Sequence, residues 1–264
     1  MQFKITLLSK SNSTIIPINY QYPLSSAIYK IIAKGDREYA NFLHESGYGK
    51  GFKLFCFSQI SCPFKIENDR LRLLNPELSF HISFHLPEAM ENFVKGLFQS
   101  ETLDIADHKS KVSFKVKSVE SLTNQLTNYK ENELINISMK PLSPIVASIP
   151  RESGISEYLA PSDPRFTESL IYNWRSKIAT CYNEQTASAA LLILETISFT
   201  KSAKSRLIAI KADAAEETKI KGWWNFGLKV TAERRFAELL LNSGIGRENS
   251  MGMGFVEMAE KINR

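Results

Sequence analysis

Cysteine is scarce in this chain, and the few cysteines present are widely spaced. The 264 residues include three, Cys56, Cys62 and Cys181, with no Cys-x-x-Cys pair among them. A disulfide framework needs paired cysteines, and a structural zinc site needs closely spaced thiolates. The sequence therefore indicates neither a disulfide framework nor a structural zinc site. We predict a protein of a reducing compartment, the cytoplasm.

Long hydrophobic runs are absent as well. The apolar stretch of residues 189–194 ends at Glu195, far short of the roughly 20 residues that a bilayer span requires. Residues 1–6 begin in a strand-like alternation and lack the apolar core of a signal peptide. We therefore predict no membrane partner.

Clusters of metal-binding side chains are also missing from the sequence. Asp and Glu do not group at metal-ligand spacing, which argues against a metal-dependent nuclease. His81 and His85 lie four residues apart on one face of a predicted strand, but no third ligand is near them. We expect the two imidazoles to pack in the core or on the surface rather than to bind a metal. We predict neither a metal nor a cofactor.

Positive charge, by contrast, is concentrated in one segment. The chain carries a net charge of +5, and residues 201–235 hold nine basic side chains against four acidic ones. A polyanion-binding face needs such a concentration, because each neutralised phosphate releases condensed counterions. The alternative is a lysine-rich hairpin that serves solubility.

Aromatic residues are interleaved with this charge. Lys219, Lys221 and Lys229 surround Trp223-Trp224, a combination typical of backbone neutralisation with base stacking on RNA. Strand alternation predicts that one of the two tryptophans is buried. We therefore assign the three lysines to RNA binding.

Glycine is dense in residues 244–254, with the sequence GIGRENSMGMG. Glycines at this density let backbone amides approach a ligand closely. Nucleotide-binding glycine loops follow a strand and precede a helix, whereas this loop follows a predicted helix over residues 233–242 and precedes a strand over residues 255–258. The reversed order argues against a nucleotide-binding loop.

Hydrophobic periodicity predicts an α+β protein with one pattern repeated in two halves. The first half has predicted strands at residues 3–9, 53–60, 71–74, 78–86 and 111–119, and helices at 24–33, 37–45 and 87–98. The second half has predicted strands at residues 135–148, 190–199, 206–212, 223–231 and 255–258, and helices at 164–182 and 233–242. The shared order β-α-β-β-α-β builds an antiparallel sheet with both helices on one face.

Two tandem ferredoxin-like (RRM-like) domains are therefore predicted, at residues 1–122 and 130–264. A polar linker at residues 121–128 separates them. Because each sheet would leave one face free, we expect a cleft between these free surfaces that suits an RNA strand or stem.

Three side chains of the first half could cleave RNA without a metal. Cleavage by the 2′-hydroxyl requires proton transfer and stabilisation of the phosphorane charge, which His, Tyr and Lys can supply. At about 100° per residue, His44 lies outside the apolar stripe of Tyr39, Phe42 and Leu43 and should face solvent. By the same geometry Tyr29 points away from the core.

Lys53 opens the strand that follows a glycine-rich connection after His44. One helix end, one neighbouring helix and one strand start could thus converge on a phosphate. Lys50 competes with Lys53, and Tyr22 competes more weakly with Tyr29. A surface histidine and an ordinary exposed tyrosine and lysine are the alternative interpretation.

The chain resembles the CRISPR-associated repeat-processing endoribonucleases of the RAMP superfamily. The helix, glycine loop and strand at the carboxyl end carry this resemblance, together with Tyr22-Pro23-Leu24, Phe42-Leu43-His44-Glu45 and Phe52-Lys53-Leu54-Phe55. The segment of residues 140–145, KPLSPI, is similar to the family's second-domain opening strand.

The resemblance implies a fold, a catalytic triad and a substrate. The fold is a tandem ferredoxin-like arrangement, and the triad is Tyr29, His44 and Lys53. Residues Gly246, Arg247, Asn249 and Ser250 of the glycine loop are expected to bind RNA. The substrate is precursor CRISPR RNA, cut within repeats without metal to leave 2′,3′-cyclic phosphate and 5′-hydroxyl ends.

Further expectations concern partners and other classes of function. Association with a CRISPR effector complex and formation of a homodimer are both expectations at this stage. A catalytically silent RAMP subunit that only binds guide RNA is the alternative from another class, and the position of His44 argues against it.

Overall fold

The computed structural model describes residues 1–11, 14–100, 102–151, 156–199, 201–212 and 214–259. In its first half, eight strands and three helices alternate. The strands are β1 (Gln2–Ser9), β2 (Ile15–Pro17), β3 (Phe55–Phe57), β4 (Phe64–Glu67), β5 (Arg70–Leu73), β6 (Glu77–Phe84), β7 (Leu103–Ala106) and β8 (Lys111–Leu122). The helices are α1 (Gln21–Gly35), α2 (Arg37–Glu45) and α3 (Pro87–Phe98).

The main sheet of this half has the strand order β3-β6-β1-β8-β7, and all neighbours are antiparallel. Its first four members follow the ferredoxin-like order, in which the first strand lies between the third and the fourth. Buried residues of α1 and α3 pack with the sheet in one core. Strands β2, β5 and β4 form a small separate sheet.

The second half repeats this plan. Its strands are β9 (Leu134–Pro141), β10 (Ser148–Pro150), β11 (Ser156–Tyr158), β12 (Ile193–Ser198), β13 (Lys204–Ile210), β14 (Thr218–Trp224), β15 (Phe226–Glu233) and β16 (Val256–Met258). Its helices are α4 (Arg165–Cys181), α5 (Glu184–Ala189) and α6 (Arg234–Ser243), with a short 3-10 turn at Asn249–Met251. The sheet order is β12-β15-β9-β16, again antiparallel and ferredoxin-like.

The predicted α+β fold with antiparallel sheets is confirmed, and the strand order of each main sheet is the ferredoxin-like one. One buried cluster draws its residues from positions 5–114, and the other draws them from positions 126–256 together with Leu54. We retain residues 1–122 and 130–264 as proposed domain boundaries on this ground. Among the described helices, none is long and apolar enough to cross a membrane.

Several predicted elements differ in extent. The strand predicted over residues 135–148 ends at Pro141, because proline lacks the amide donor that a ladder needs, and β10 begins at Ser148. The strand predicted over residues 223–231 is divided at Asn225, whose φ of 66° breaks the extended backbone between β14 and β15. The strand predicted over residues 53–60 is reduced to β3.

Short edge strands were not predicted from the pattern. Strands β2, β4 and β7 have three or four residues each, too few to establish an alternation. The helices α2 and α3, in contrast, have the predicted bounds. The carboxylate of Asp36 caps α2 by accepting the Tyr39 amide at 3.0 Å, and Pro87 occupies the first turn of α3.

Candidate active site

Tyr29, His44 and Lys53 lie together on one side of the first half. The rings of Tyr29 on α1 and His44 in the last turn of α2 are 5.2 Å apart, centroid to centroid, and nearly perpendicular. The Lys53 ammonium donates to the His44 carbonyl oxygen at 2.9 Å. The structure thus brings a hydroxyl, an imidazole and a cation to one place.

Burial differs among these three side chains. His44 is exposed, as the helical geometry predicts. Tyr29 is half-buried, so the expectation that it points away from the core is wrong, because Phe55 of β3 packs against its ring at 5.6 Å. On α2, Phe42 is 40% exposed rather than part of a buried stripe.

The electrostatics of Tyr29 and Lys53 follow from this burial. Desolvation raises the pKa of Tyr29 to about 12, against the opposite effect of a hydrogen bond with the Ser250 side chain. The Tyr29 hydroxyl therefore keeps its proton at neutral pH and can act as a hydrogen-bond donor. Desolvation also lowers the pKa of Lys53 below its usual value.

The two competing side chains lie elsewhere. The Lys50 ammonium is 5.7 Å from the ring centroid of Tyr172 on α4, so it faces the second half rather than His44. Tyr22 lines a different cavity, of about 640 Å³, with residues of β2 and of the segment after β13. The geometry favours Lys53 and Tyr29.

A groove of about 930 Å³ lies between the two halves, and Lys53 is the member of the candidate triad that lines it. It is lined by residues 50–55, 148–150 and 246–251 and by seven residues of α4. Four solvent-accessible lining side chains are cationic and two are carboxylates, namely Lys50, Lys53, Arg165 and Arg247 against Glu168 and Glu248; Lys177 also borders the groove but is buried. A cleft with this balance attracts a polyanion.

The position of this groove differs from the sequence-based expectation. The expected cleft lay between free sheet faces, whereas the groove beside the triad is lined by α4 and by loops. The sequence contained one signal for this wall: Tyr172, Asn173 and Ser176 recur on one face of a predicted helix as polar or amphipathic residues.

The glycine loop after α6 contributes the opposite rim. Gly246 is buried with a φ of 73°, and a Cβ there would lie 2.4 Å from the Val146 carbonyl oxygen. Arg247 is exposed beside it, and the Ser250 carbonyl accepts from the Ser25 hydroxyl of α1 at 2.7 Å. The Asn249 amide group is occupied within the protein: its oxygen accepts from Lys177 at 2.7 Å, and its nitrogen donates to two loop carbonyls.

Lys177 was missed by sequence reasoning. Its side chain is 1% exposed, and the ammonium donates to the Gly244 carbonyl at 2.7 Å and to the Ser243 carbonyl at 3.3 Å, besides Asn249. Desolvation lowers the pKa of Lys177 to about 7.

The predicted lysines of the second half are exposed but do not line the groove. Lys219 pairs with Glu217 at 3.5 Å, and Lys221 lies 5.3 Å from the ring centroid of Trp223. Lys229 lies on the central strand β15, opposite Glu195 of β12. Trp223 is 7% exposed and Trp224 is half-buried, so one tryptophan is in the core as alternation predicts.

Of the two histidines predicted on one strand, His81 lies on β6 and His85 lies one residue beyond its end. The ring of His81 stacks on Phe255 at 5.9 Å, and burial lowers the pKa of His85 to about 4. Within the part of the chain that the structure describes, no group of three or more His, Cys, Asp or Glu side chains could hold a metal.

Two family models match this chain. The model described as CRISPR-associated protein Cas6, C-terminal, matches residues 127–258, and the model described as CRISPR-associated protein Cas6, N-terminal, matches residues 15–120. These two segments include the glycine loop and the candidate triad, respectively.

Individual proteins are similar over the full length. The chain is 30% identical to the CRISPR-associated endoribonuclease Cas6 1 of Methanocaldococcus jannaschii, covering 97% of this chain and 92% of that one. A solved structure of a CRISPR-associated protein Cas6 is 26% identical with a TM-score of 0.71, covering 98% and 99% of the two chains. A Cas6-related protein of Pyrococcus furiosus, 20% identical, has the same fold with a TM-score of 0.78 over 99% of each chain.

Proposed function

The chain belongs to the Cas6 family of CRISPR-associated proteins, and we propose that it is a metal-independent endoribonuclease that cleaves precursor CRISPR RNA within its repeats. The observation that carries this proposal is the contact of the Tyr29 and His44 rings, with Lys53 bonded to the His44 carbonyl oxygen and lining a cationic groove. These are the groups that cleavage by an internal nucleophile requires.

The reaction is an internal displacement at phosphorus. The 2′-oxygen bonds to the adjacent phosphorus and loses its proton, while the bond from phosphorus to the 5′-oxygen breaks and that oxygen gains a proton. The products carry a 2′,3′-cyclic phosphate and a 5′-hydroxyl. No metal, oxidant or further reactant is consumed.

His44 transfers a proton in this reaction, as a base toward the 2′-hydroxyl or as an acid toward the leaving oxygen. Its exposure lets RNA reach the ring, and such a transfer contributes about 10²–10⁴-fold in rate. Tyr29 orients the phosphate or the nucleophile as a hydrogen-bond donor, in keeping with its raised pKa. Lys53 stabilises the phosphorane charge.

The groove holds the RNA backbone beside these groups. Arg247 is the strongest contact in this proposal, because an exposed guanidinium matches the geometry of a phosphate. Gly246 and Asn249 act by shaping the loop, since one is buried and the other has its amide group occupied. Ser250 is the loop residue whose carbonyl accepts from Ser25 on α1, the helix that carries Tyr29.

The three lysines outside the groove belong to a second contact region. Lys219 and Lys221 lie on the hairpin β13–β14, and Lys229 lies on the sheet. We assign them a smaller, sequence-independent contribution from phosphate neutralisation.

Incubation with a repeat RNA in excess chelator tests the proposal. We expect one cut in each repeat, and we expect a single 2′-deoxy substitution at the cut site to abolish it. Binding without cleavage would instead indicate a silent RNA-binding subunit. Loss of cleavage in chelator, restored by a divalent cation, would indicate a metal-dependent nuclease.

A further inference from the structure

Lys177 is a buried cation whose three hydrogen-bond acceptors are all uncharged oxygens. Two of them, the carbonyls of Ser243 and Gly244, lie at the end of α6, where the helix dipole places negative charge. The third is the side-chain oxygen of Asn249, at 2.7 Å. Burying an ammonium group costs free energy unless its N–H donors find acceptors. The three acceptors around Lys177 meet this need, which indicates that the lysine has a specific role at this position.

The Asn249 side chain extends the contact of Lys177 across the glycine loop. While its oxygen accepts from Lys177, its nitrogen donates to the Met253 carbonyl at 2.9 Å and to the Ile245 carbonyl at 3.2 Å. One ammonium and one amide group thus tie the end of α6 to both sides of the loop. These hydrogen bonds hold the backbone of the loop in one conformation.

Ser250, the residue after Asn249, contacts α1, the helix of the first half that carries Tyr29. The Ser250 carbonyl accepts from the Ser25 hydroxyl at 2.7 Å, and the Ser250 side chain acts on the Tyr29 hydroxyl to lower its pKa, against the larger effect of burial. Ser25 and Tyr29 are four residues apart on α1 and so lie on the same face. The loop therefore connects Lys177 of α4 to the face of α1 that carries Tyr29.

We propose that Lys177 is a positioning residue, which fixes the Tyr29 hydroxyl for the reaction through Asn249 and Ser250. Its role rests on the proposed endoribonuclease function and adds a requirement to it: the second half orients a side chain of the first. Lys177 does not touch the reacting phosphate in this account. Its loss should slow the chemical step and leave RNA binding nearly unchanged.

A double-mutant cycle with Tyr29 separates positioning from a general structural role. The variants are Lys177→Met, Tyr29→Phe and the pair, each assayed for single-turnover cleavage of repeat RNA and for binding of a 2′-deoxy repeat. We expect Lys177→Met to slow cleavage about tenfold with binding within about threefold, the pattern of a lost transition-state interaction. In the Tyr29→Phe background the same change should cost less than about twofold, since coupled residues are not additive.

Arg175→Met is the matched control. Arg175 is also a cation of α4 that donates to backbone carbonyls at the end of a helix, those of Ala187, Ser188 and Ala190 near α5. Its replacement removes the same kind of anchor away from the glycine loop. We expect its thermal unfolding midpoint to fall while its cleavage rate stays at the wild-type value.

The outcomes that overturn the proposal are distinct from those that overturn the function. An equal loss of rate from Lys177→Met in both backgrounds, or a wild-type rate in Lys177→Met, rejects positioning through Tyr29. If Lys177→Met does not fold, Ser250→Ala takes its place in the cycle, and an equal loss in both backgrounds again rejects the proposal. A wild-type protein that leaves repeat RNA uncut rejects the endoribonuclease function instead.

Discussion

The two halves of this protein place a short helix at the same point of the same plan and use it differently. In each half the first long helix is followed by a short one before the next sheet strand, α2 in one and α5 in the other. Both are capped by an Asx side chain, with Asp36 accepting from Tyr39 at 3.0 Å and Asn183 accepting from Thr186 at 2.7 Å. Only α2 carries a basic residue, His44, in its last turn.

Local features such as the Asx cap thus account for the helices that the two halves share, whereas a single side chain, His44, makes the end of α2 a candidate for catalysis. The first half provides the candidate triad, and the second provides α4 and the glycine loop, which line the groove together with residues 50–55 of the first. Neither half contains the whole candidate site. The proposed function therefore depends on the junction between halves as much as on the triad.

Replacing His44 by Ala should have the largest effect on cleavage among these variants. The variant α2 then resembles α5, which has no basic residue in its last turn. We expect cleavage to fall by about 10²–10⁴-fold, the usual contribution of acid–base catalysis. Binding of a 2′-deoxy repeat should stay near the wild-type value, since the groove is intact. His108→Ala, an exposed histidine of the same half, is the control. Unchanged cleavage in His44→Ala would falsify the assignment.

Replacing Lys53 should have the next largest effect, and Lys50 provides its control. Lys53 contacts His44, whereas Lys50 faces Tyr172 of the second half. We expect Lys53→Ala to slow single-turnover cleavage by about 10²-fold, as for loss of one group that stabilises developing charge. Lys50→Ala should alter mainly RNA binding. The opposite ranking of the two cleavage rates would move the catalytic role to Lys50.

Two glycines, one from each half, offer a third comparison, because one lies in the glycine loop and the other between two helices. A Cβ at Gly254 would lie 1.9 Å from the Ile245 carbonyl across the glycine loop, at a φ of 74°, whereas one at Gly96 would lie 1.8 Å from the Ile31 carbonyl between α3 and α1. We expect both Ala variants to lose stability, by about 1–3 kcal/mol or more for the strained Gly254. Chemical denaturation measures this loss.

Cleavage distinguishes the two glycine variants. Gly254→Ala should also slow the reaction, since its loop holds Ser250 against Tyr29. Gly96→Ala should cleave at the wild-type rate when assayed well below its unfolding midpoint, because Gly96 serves helix packing. If Gly96→Ala proved the slower enzyme under those conditions, the assignment of catalytic influence to the glycine loop would be wrong.

The smallest expected effects concern RNA contacts. Arg247→Ala should weaken binding several-fold and reduce the slope of log affinity against log salt by about one, as for one lost phosphate contact. Lys229→Ala should do less, because it lies outside the groove and opposite Glu195. Binding titrations at several salt concentrations compare the two. A larger effect of Lys229 would move the main RNA path to the sheet.

The arrangement of helices and strands and the exposure of His44 could be predicted because periodicity reports local burial. The 3.6-residue repeat placed His44 on the exposed side of α2, and the order of elements gave the ferredoxin-like sheets. The same reasoning erred at Tyr29, since a helical wheel cannot show that Phe55 of a later strand covers part of that face. Periodicity also did not predict the strands of three or four residues, because so few residues do not establish an alternation.

Residue patterns alone were enough to predict the helices, the strands and their order, because these depend on neighbours a few residues apart, and the resemblance to a family supplied the candidate triad. The packing of the two halves was needed to show that α4 forms a wall of the groove, that Lys229 lies outside it, and that the Asn249 amide bonds within the loop. The contact between Lys177 and Asn249 spans 72 positions of the chain. Which buried donor meets which acceptor over such a separation depends on how the two sheets and their helices pack, and no local pattern records it.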